Sequence, residues 1–207
     1  MTIVRVRQHV NPLSAKYQEA TAAPDWAQIY AHRTRPLHLD IGCARGQFLL
    51  AMAQAWPDWN FLGVEIREPL VIKANQDRDA LGLSNLHYLF CNINPSLRSL
   101  LLPQSLQGAS IQFPDPWFKR RHQKRRVLRP ELVADLARCL QPGSLLFLQS
   151  DVLEVAAEMR HLVGEHPDFR PQPHGWLEQN PFPVPTERET LTLKAGQPVY
   201  RCQFLRC

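Results

Sequence analysis

LHLDIGCARG, residues 37–46, is the stretch on which the fold turns. Residues 37–41 set a short buried strand, and the glycines at 42 and 46 bracket a tight turn. The apolar run 47–56 behind it reads as a helix. The same unit recurs down the chain: strand 60–66, helix 68–81 ending near Gly82, strand 86–90, a short helix 95–102, and strand 109–113. Helix 129–140, stopped by Pro142-Gly143, strand 145–149 and helix 152–165 follow. Strand and helix alternate five times, which predicts an α/β fold with a parallel, doubly wound sheet and helices on both faces. Segments 189–194 and 199–204 alternate like strands around Gly196. They are expected to complete a mostly parallel, seven-stranded sheet as a C-terminal antiparallel hairpin. Residues 1–34, with a short helix at 26–32, read as an N-terminal arm ahead of one domain spanning 35–207. The arm is either a loose terminus or a source of extra phosphate contacts through Arg5 and Arg7.

In such a sheet, ligands sit outside the carboxyl ends of the strands. Polar residues at those ends are Asp40, Glu65, Asn92, Asp115 and Asp151, from five successive strands. Asp151 and Asn92 also suit the N-caps of the helices that follow, whereas Glu65 does not. Gly42 allows a ligand close to the backbone, and an acid at the end of the second strand can take both hydroxyls of a ribose. An adenosine-containing cofactor is expected. A dinucleotide would require GxGxxG, and GCARG has glycine only at 42 and 46. Asp40 would repel a pyrophosphate but attract an ammonium. The acids at 40 and 115 therefore favour S-adenosylmethionine over NAD.

The second informative stretch is FPDPWFKRRHQKRR, residues 113–126. Pro114 and Pro116 stiffen the backbone around Asp115. Of the chain's 24 Lys and Arg residues, seven fall within positions 115–129 beside a single acid, a local charge of +6. The remaining 17 cations and 18 acids leave the rest at −1, so the basic character is concentrated in one loop. A dense cationic run with Trp117 and Phe118 suits an RNA backbone and an unstacked base. Trp117 reads as packing the loop.

The chain has 207 residues, enough for one domain with a substantial core. No apolar run approaches the ~20 residues that span a bilayer. The N-terminus lacks the apolar segment of a secretory signal. Five scattered cysteines without CxxC or CxxH spacing imply reduced thiols in a cytoplasmic protein and no metal site. His38, His87 and His161 read as structural.

FPDPWFKRRHQKRR, LDIGCARG (39–46), GVEI (63–66) and the late Thr186-Glu187-Arg188-Glu189 together resemble the tRNA (guanine-N7)-methyltransferases of the bacterial single-chain type. The likeness runs over about residues 37–204, and RVRQHVNPL (5–13) shares it. The resemblance implies a class I methyltransferase fold, S-adenosylmethionine as methyl donor and a guanine of the tRNA variable loop, position 46 in tRNA numbering, as target. It implies cofactor contacts from Asp40, Glu65, Asn92 and Asp115, with Asp115 also the candidate catalytic residue. It implies substrate contacts from Lys119, Asp151, Thr186, Glu187, Arg188 and Glu189. No obligate protein partner is evident, and either a monomer or a homodimer fits. The sequence departs from the family in having Asp40 for a usual Glu, Ala44 for Gly and Asn92 for a frequent Asp.

Guanine N7 carries an in-plane lone pair and no proton, so its methylation requires alignment rather than a base. On this reading Asp115 opposes the developing purine cation, and Asp115 or Glu189 accepts from the guanine N1–H and amine. Two rival readings are a non-catalytic RNA-binding module on a nucleotide-binding-like fold and a nicotinamide-dependent oxidoreductase.

Overall fold

A computed structural model describes residues 10–172 and 175–207. Arg5 and Arg7 lie outside the described residues. The sheet has seven strands: β1 (Leu37–Ile41), β2 (Asn60–Glu65), β3 (Leu86–Phe90), β4 (Leu106–Gln112), β5 (Leu140–Ser150), β6 (Phe169–Pro171) and β7 (Tyr200–Arg206). Their spatial order is β3-β2-β1-β4-β5-β7-β6. The first five run parallel, and β7 pairs antiparallel with both β5 and β6. The chain leaves β1 in one direction and returns to pair β4 with its other edge, so the switch point lies between β1 and β4.

Helices cover both faces. On one, α2 (Gln47–Ala55) and α3 (Glu68–Ala80) bury Phe48, Leu49, Met52, Val71 and Ala74 against Phe61 and Tyr88. On the other, α4 (Ile93–Leu100), α5 (Pro130–Cys139) and α6 (Leu153–Gly164) bury Leu97, Leu132, Leu136, Val155 and Met159 against Leu39, Leu62, Ile111 and Leu148. Strand β1 alternates between them: Leu39 and Ile41 join the second core, while His38 and Asp40 point to the first.

Three expectations change. Segment 189–194 is not a strand but part of a helix, Glu187–Lys194, here α7 after the short α1 (Trp26–Ile29). The hairpin partner of β7 is instead β6, whose three residues are too short to register as a strand in sequence. Thr186-Glu187-Arg188-Glu189 is a T-x-x-E capping signature, and Thr186 Oγ1 accepts from the Glu189 N–H at 3.1 Å. The alternation of ETLTLK masked that signal. Nor does Pro142-Gly143 end the fifth helix. It stops at Cys139, pairing with β4 begins at Leu140, and Pro142-Gly143 lies where the register slips, with Gly143 at φ +85°.

Residues 10–34 run along the sheet edge. Tyr30 donates to the Phe61 carbonyl (3.0 Å) and Trp26 Nε1 to the Leu100 carbonyl (3.2 Å). Among the described residues no helix is long and apolar enough to cross a membrane.

Candidate active site

Two clefts open at the carboxyl edge of the parallel strands, and Gly42, Arg67, Phe113 and Asp115 line both. The first cleft, about 140 Å³, is bounded by Glu65, Asn92 and Trp117 and by Val10 and Pro12 of the N-terminal segment. The second, about 420 Å³, is bounded by Asp40, Phe118, Asp151, Thr186, Glu187 and Arg188. Asp115 is exposed at the ridge between them. Phe113 and Trp117, two residues to either side, adopt φ of +50° and +45°, a backbone that Asp115's loop must hold against local preference.

Glu65 ends β2 and is buried. Its Oε1 accepts from the Arg67 backbone N–H and Nε, and its Oε2 from the Ala44 N–H and Arg67 Nη2, each at 3.0 Å. Ala44 sits at φ +50°, in the left-handed region that favours glycine. Asn92 caps α4, with Oδ1 accepting from the Asn94 N–H at 3.3 Å. Asp151 follows β5 and takes an ion pair from Arg188, whose Nε donates at 2.9 Å. Among the described residues no cluster of His, Cys, Asp and Glu has the makings of a metal site.

Asp40 is buried, and loss of water raises its carboxyl to about 6 against the opposing pull of its hydrogen bonds. Ser110 Oγ donates to its Oδ1 at 2.6 Å and Gln112 Nε2 at 3.2 Å. Because Ser110 spends its proton on Asp40, His38 Nε2, 2.9 Å away, must be the donor to Ser110 Oγ. Burial lowers His38 to about 3, so it is neutral. From Gln112 the row continues: Gln149 Nε2 donates to Gln112 Oε1 (2.7 Å) and to Glu189 Oε2 (3.2 Å). Ser110, Gln112 and Gln149 did not stand out in the sequence, though Gln112 ends β4 and Gln149 lies one residue before the end of β5.

Glu189 is placed differently from its expected role. It is 1% exposed, accepts from Asn180 Nδ2 at 2.6 Å and pairs with Arg201 Nη2 at 2.7 Å. Its oxygens are engaged inside the protein, whereas Glu187 and Arg188 are exposed on the second cleft. The helix that holds them thus divides the TERE segment into two faces, one outward and one anchored.

The basic loop divides in the same way. Arg126 is buried, donates to the Pro116 carbonyl at 2.9 Å, and pairs with Glu154 (2.9 Å) and Glu158. It anchors the loop to α6 instead of meeting solvent. Arg125 stacks over the Trp117 ring at 5.1 Å, and His122 meets the same ring edge-on at 5.9 Å. Lys119, Arg120, Arg121 and Lys124 are exposed. Phe118 is 68% exposed.

This architecture is that of the class I methyltransferases. The chain superposes on geranyl diphosphate methyltransferase in complex with SAM (TM-score 0.56, 13% identity, 84% of this chain and 79% of that one). It also superposes on precorrin-6y C5,15-methyltransferase from Geobacter metallireducens GS-15 (TM-score 0.56, 10% identity, 87% and 85%). At these identities the likeness concerns the fold alone. The family described as "Putative methyltransferase" matches residues 34–202. Proteins named tRNA (guanine-N(7)-)-methyltransferase from Microcystis aeruginosa (strain NIES-843 / IAM M-2473) and Synechocystis sp. (strain ATCC 27184 / PCC 6803 / Kazusa) are 60% and 57% identical, over 99% and 100% of this chain and 99% of each of theirs. The chain belongs to the tRNA (guanine-N7)-methyltransferase family.

Arg201→Ala strands the Glu189 carboxylate in the interior. It is expected to cost about 3–5 kcal/mol in urea unfolding, the usual penalty for an uncompensated buried charge. A loss below about 1 kcal/mol would show that Glu189 is not held as an ion.

Proposed function

We propose that the protein transfers the methyl group of S-adenosylmethionine to N7 of a guanine in the tRNA variable loop, position 46 in tRNA numbering, in the cytoplasm. The observation that carries this reading is Asp115 on the ridge shared by two clefts, beside four exposed cations, in a chain of this family. The residues fit the cofactor by their chemistry. Asp40, Glu65 and Asn92 Oδ1 are acceptors, matched to an ammonium, a ribose diol and an adenine amine. The diol competes with the Arg67 guanidinium for Glu65. S-adenosylmethionine supplies an electrophilic methyl group on a sulfonium.

The chain's own residues do the rest. Lys119, Arg120, Arg121 and Lys124 grip phosphates, with a strong salt dependence. Phe118 offers its face to the extruded guanine, since Trp117 is engaged by His122 and Arg125. Asp115 accepts from the guanine edge and opposes the positive charge that builds on the ring as N7 is alkylated. Thr186, Glu187, Arg188 and Asp151 bound the same cleft and contact the RNA, and Glu189 supports them from within. No residue is asked to remove a proton.

Labelled methyl transfer to tRNA tests this directly. Transcripts carrying 7-deazaguanine at the target should bind as well as unmodified tRNA yet accept no label; label in them would assign the wrong nucleophile.

Asp115→Asn should lower kcat on the order of 10- to 100-fold while changing the KM for tRNA little. Unchanged turnover would remove the charge role.

Burial raises the Asp40 carboxyl to about 6 in the free protein, so its charged form, the one that pairs with an ammonium, becomes dominant as pH rises through that value. S-adenosylhomocysteine should bind more tightly as pH rises from 5 to 7.5, levelling off above about 6–7 by calorimetry. Asp40→Asn should bind more weakly at pH 7 and with a flat profile; a wild-type-like slope in that variant would place the titrating group elsewhere.

A further inference from the structure

We infer that the N-terminal segment selects the nucleobase of the cofactor by fixing which way the Asn92 amide faces. Asn92 Nδ2 donates to the Tyr17 carbonyl at 2.9 Å and to the Pro12 carbonyl at 3.2 Å. Both hydrogens of that nitrogen are therefore committed to the arm. The reverse orientation is closed to this side chain, because it would aim the amide oxygen at two carbonyl oxygens. What remains for a ligand of the first cleft is Oδ1, which carries only the 3.3 Å bond from the Asn94 N–H. An amide held this way is an acceptor and nothing else. It suits the exocyclic amine of adenine and opposes the carbonyl that inosine or guanine presents at the same ring position.

The arm is seated independently of this contact. Tyr17 packs edge-on against Phe90 at 6.4 Å, Lys16 Nζ lies over both rings at 5.4 and 5.9 Å, and Val10 and Pro12 form part of the cleft wall. Pro12 and Tyr17 thus act as positioning residues through their backbone carbonyls. This inference rests on the proposal that the cofactor's adenosine occupies the first cleft.

The test compares S-adenosylhomocysteine with S-inosylhomocysteine on the full-length protein by calorimetry. Wild-type protein should prefer the adenosyl compound. Tyr17→Ala, which loosens the arm and frees the amide to turn, should reduce that preference about three- to tenfold, the worth of one neutral hydrogen bond. Adding Asn92→Asp to Tyr17→Ala should restore the preference, because a carboxylate accepts in either orientation. Asn92→Asp alone should accelerate amide exchange across residues 12–18, since its oxygens face the two carbonyls. A preference unchanged in Tyr17→Ala, unrestored in the double variant, or exchange unaltered in Asn92→Asp would each overturn the inference. If wild-type protein binds neither compound, the cofactor reading itself fails and the inference falls with it, whereas binding without the expected preference changes overturns the inference alone.

Discussion

A single file of hydrogen bonds beneath the rim of the sheet holds the site in shape. It passes from His38 through Ser110, Asp40, Gln112 and Gln149 to Glu189, and ends on Arg201. The participants come from β1, β4, β5, α7 and β7, so the row crosses the switch point and ties β1 and β4 to the C-terminal elements α7 and β7. Each member is nearly or fully buried, and a buried polar group left unpaired costs about 1–3 kcal/mol. Gln149 Oε1 alone of the row's buried side-chain atoms lacks a partner, and the remaining bonds set where the Asp40 carboxylate sits and how α7 is pinned. Phe182 closes over it, meeting His38 at 5.4 Å and Phe147 at 5.2 Å, which keeps water out and His38 neutral.

The basic loop depends on a second anchor. A run of seven cations in fifteen residues repels itself, and an unsupported loop would spread. Arg126 prevents this by turning inward to Glu154, Glu158 and the Pro116 carbonyl. The loop is closed on itself at the base, its outer cations project together, and Asp115 stands at its mouth between two residues of positive φ. Arg126 is spent on structure, while Lys119, Arg120, Arg121 and Lys124 stay exposed.

Geranyl diphosphate methyltransferase and precorrin-6y C5,15-methyltransferase share the sheet at identities of 13% and 10%. The sheet and its switch point therefore carry no substrate identity, which resides in what the strand ends and loops present. Here those ends present acids and amides to the two clefts, and the loop after β4 presents a cationic, aromatic lip.

Much of this was legible in the residues alone. Hydrophobic runs of strand and helix length fix the order of the first five βα units, because burial on both faces leaves little choice of period. The acids at strand ends and the charged loop announced themselves by position and density. Three things were decided only by tertiary structure. Segment 189–194 alternates like a strand, yet it forms a helix whose Glu189 is buried against Arg201 of β7. Arg126 is one cation among seven in sequence and becomes a buried anchor because α6 places two glutamates beside it. Asn92 could donate or accept, and the carbonyls of a segment some 75 residues away settle which. Periodicity reports which face of an element is buried, but the partner of a polar group depends on what the fold brings opposite it, and only packing determines that.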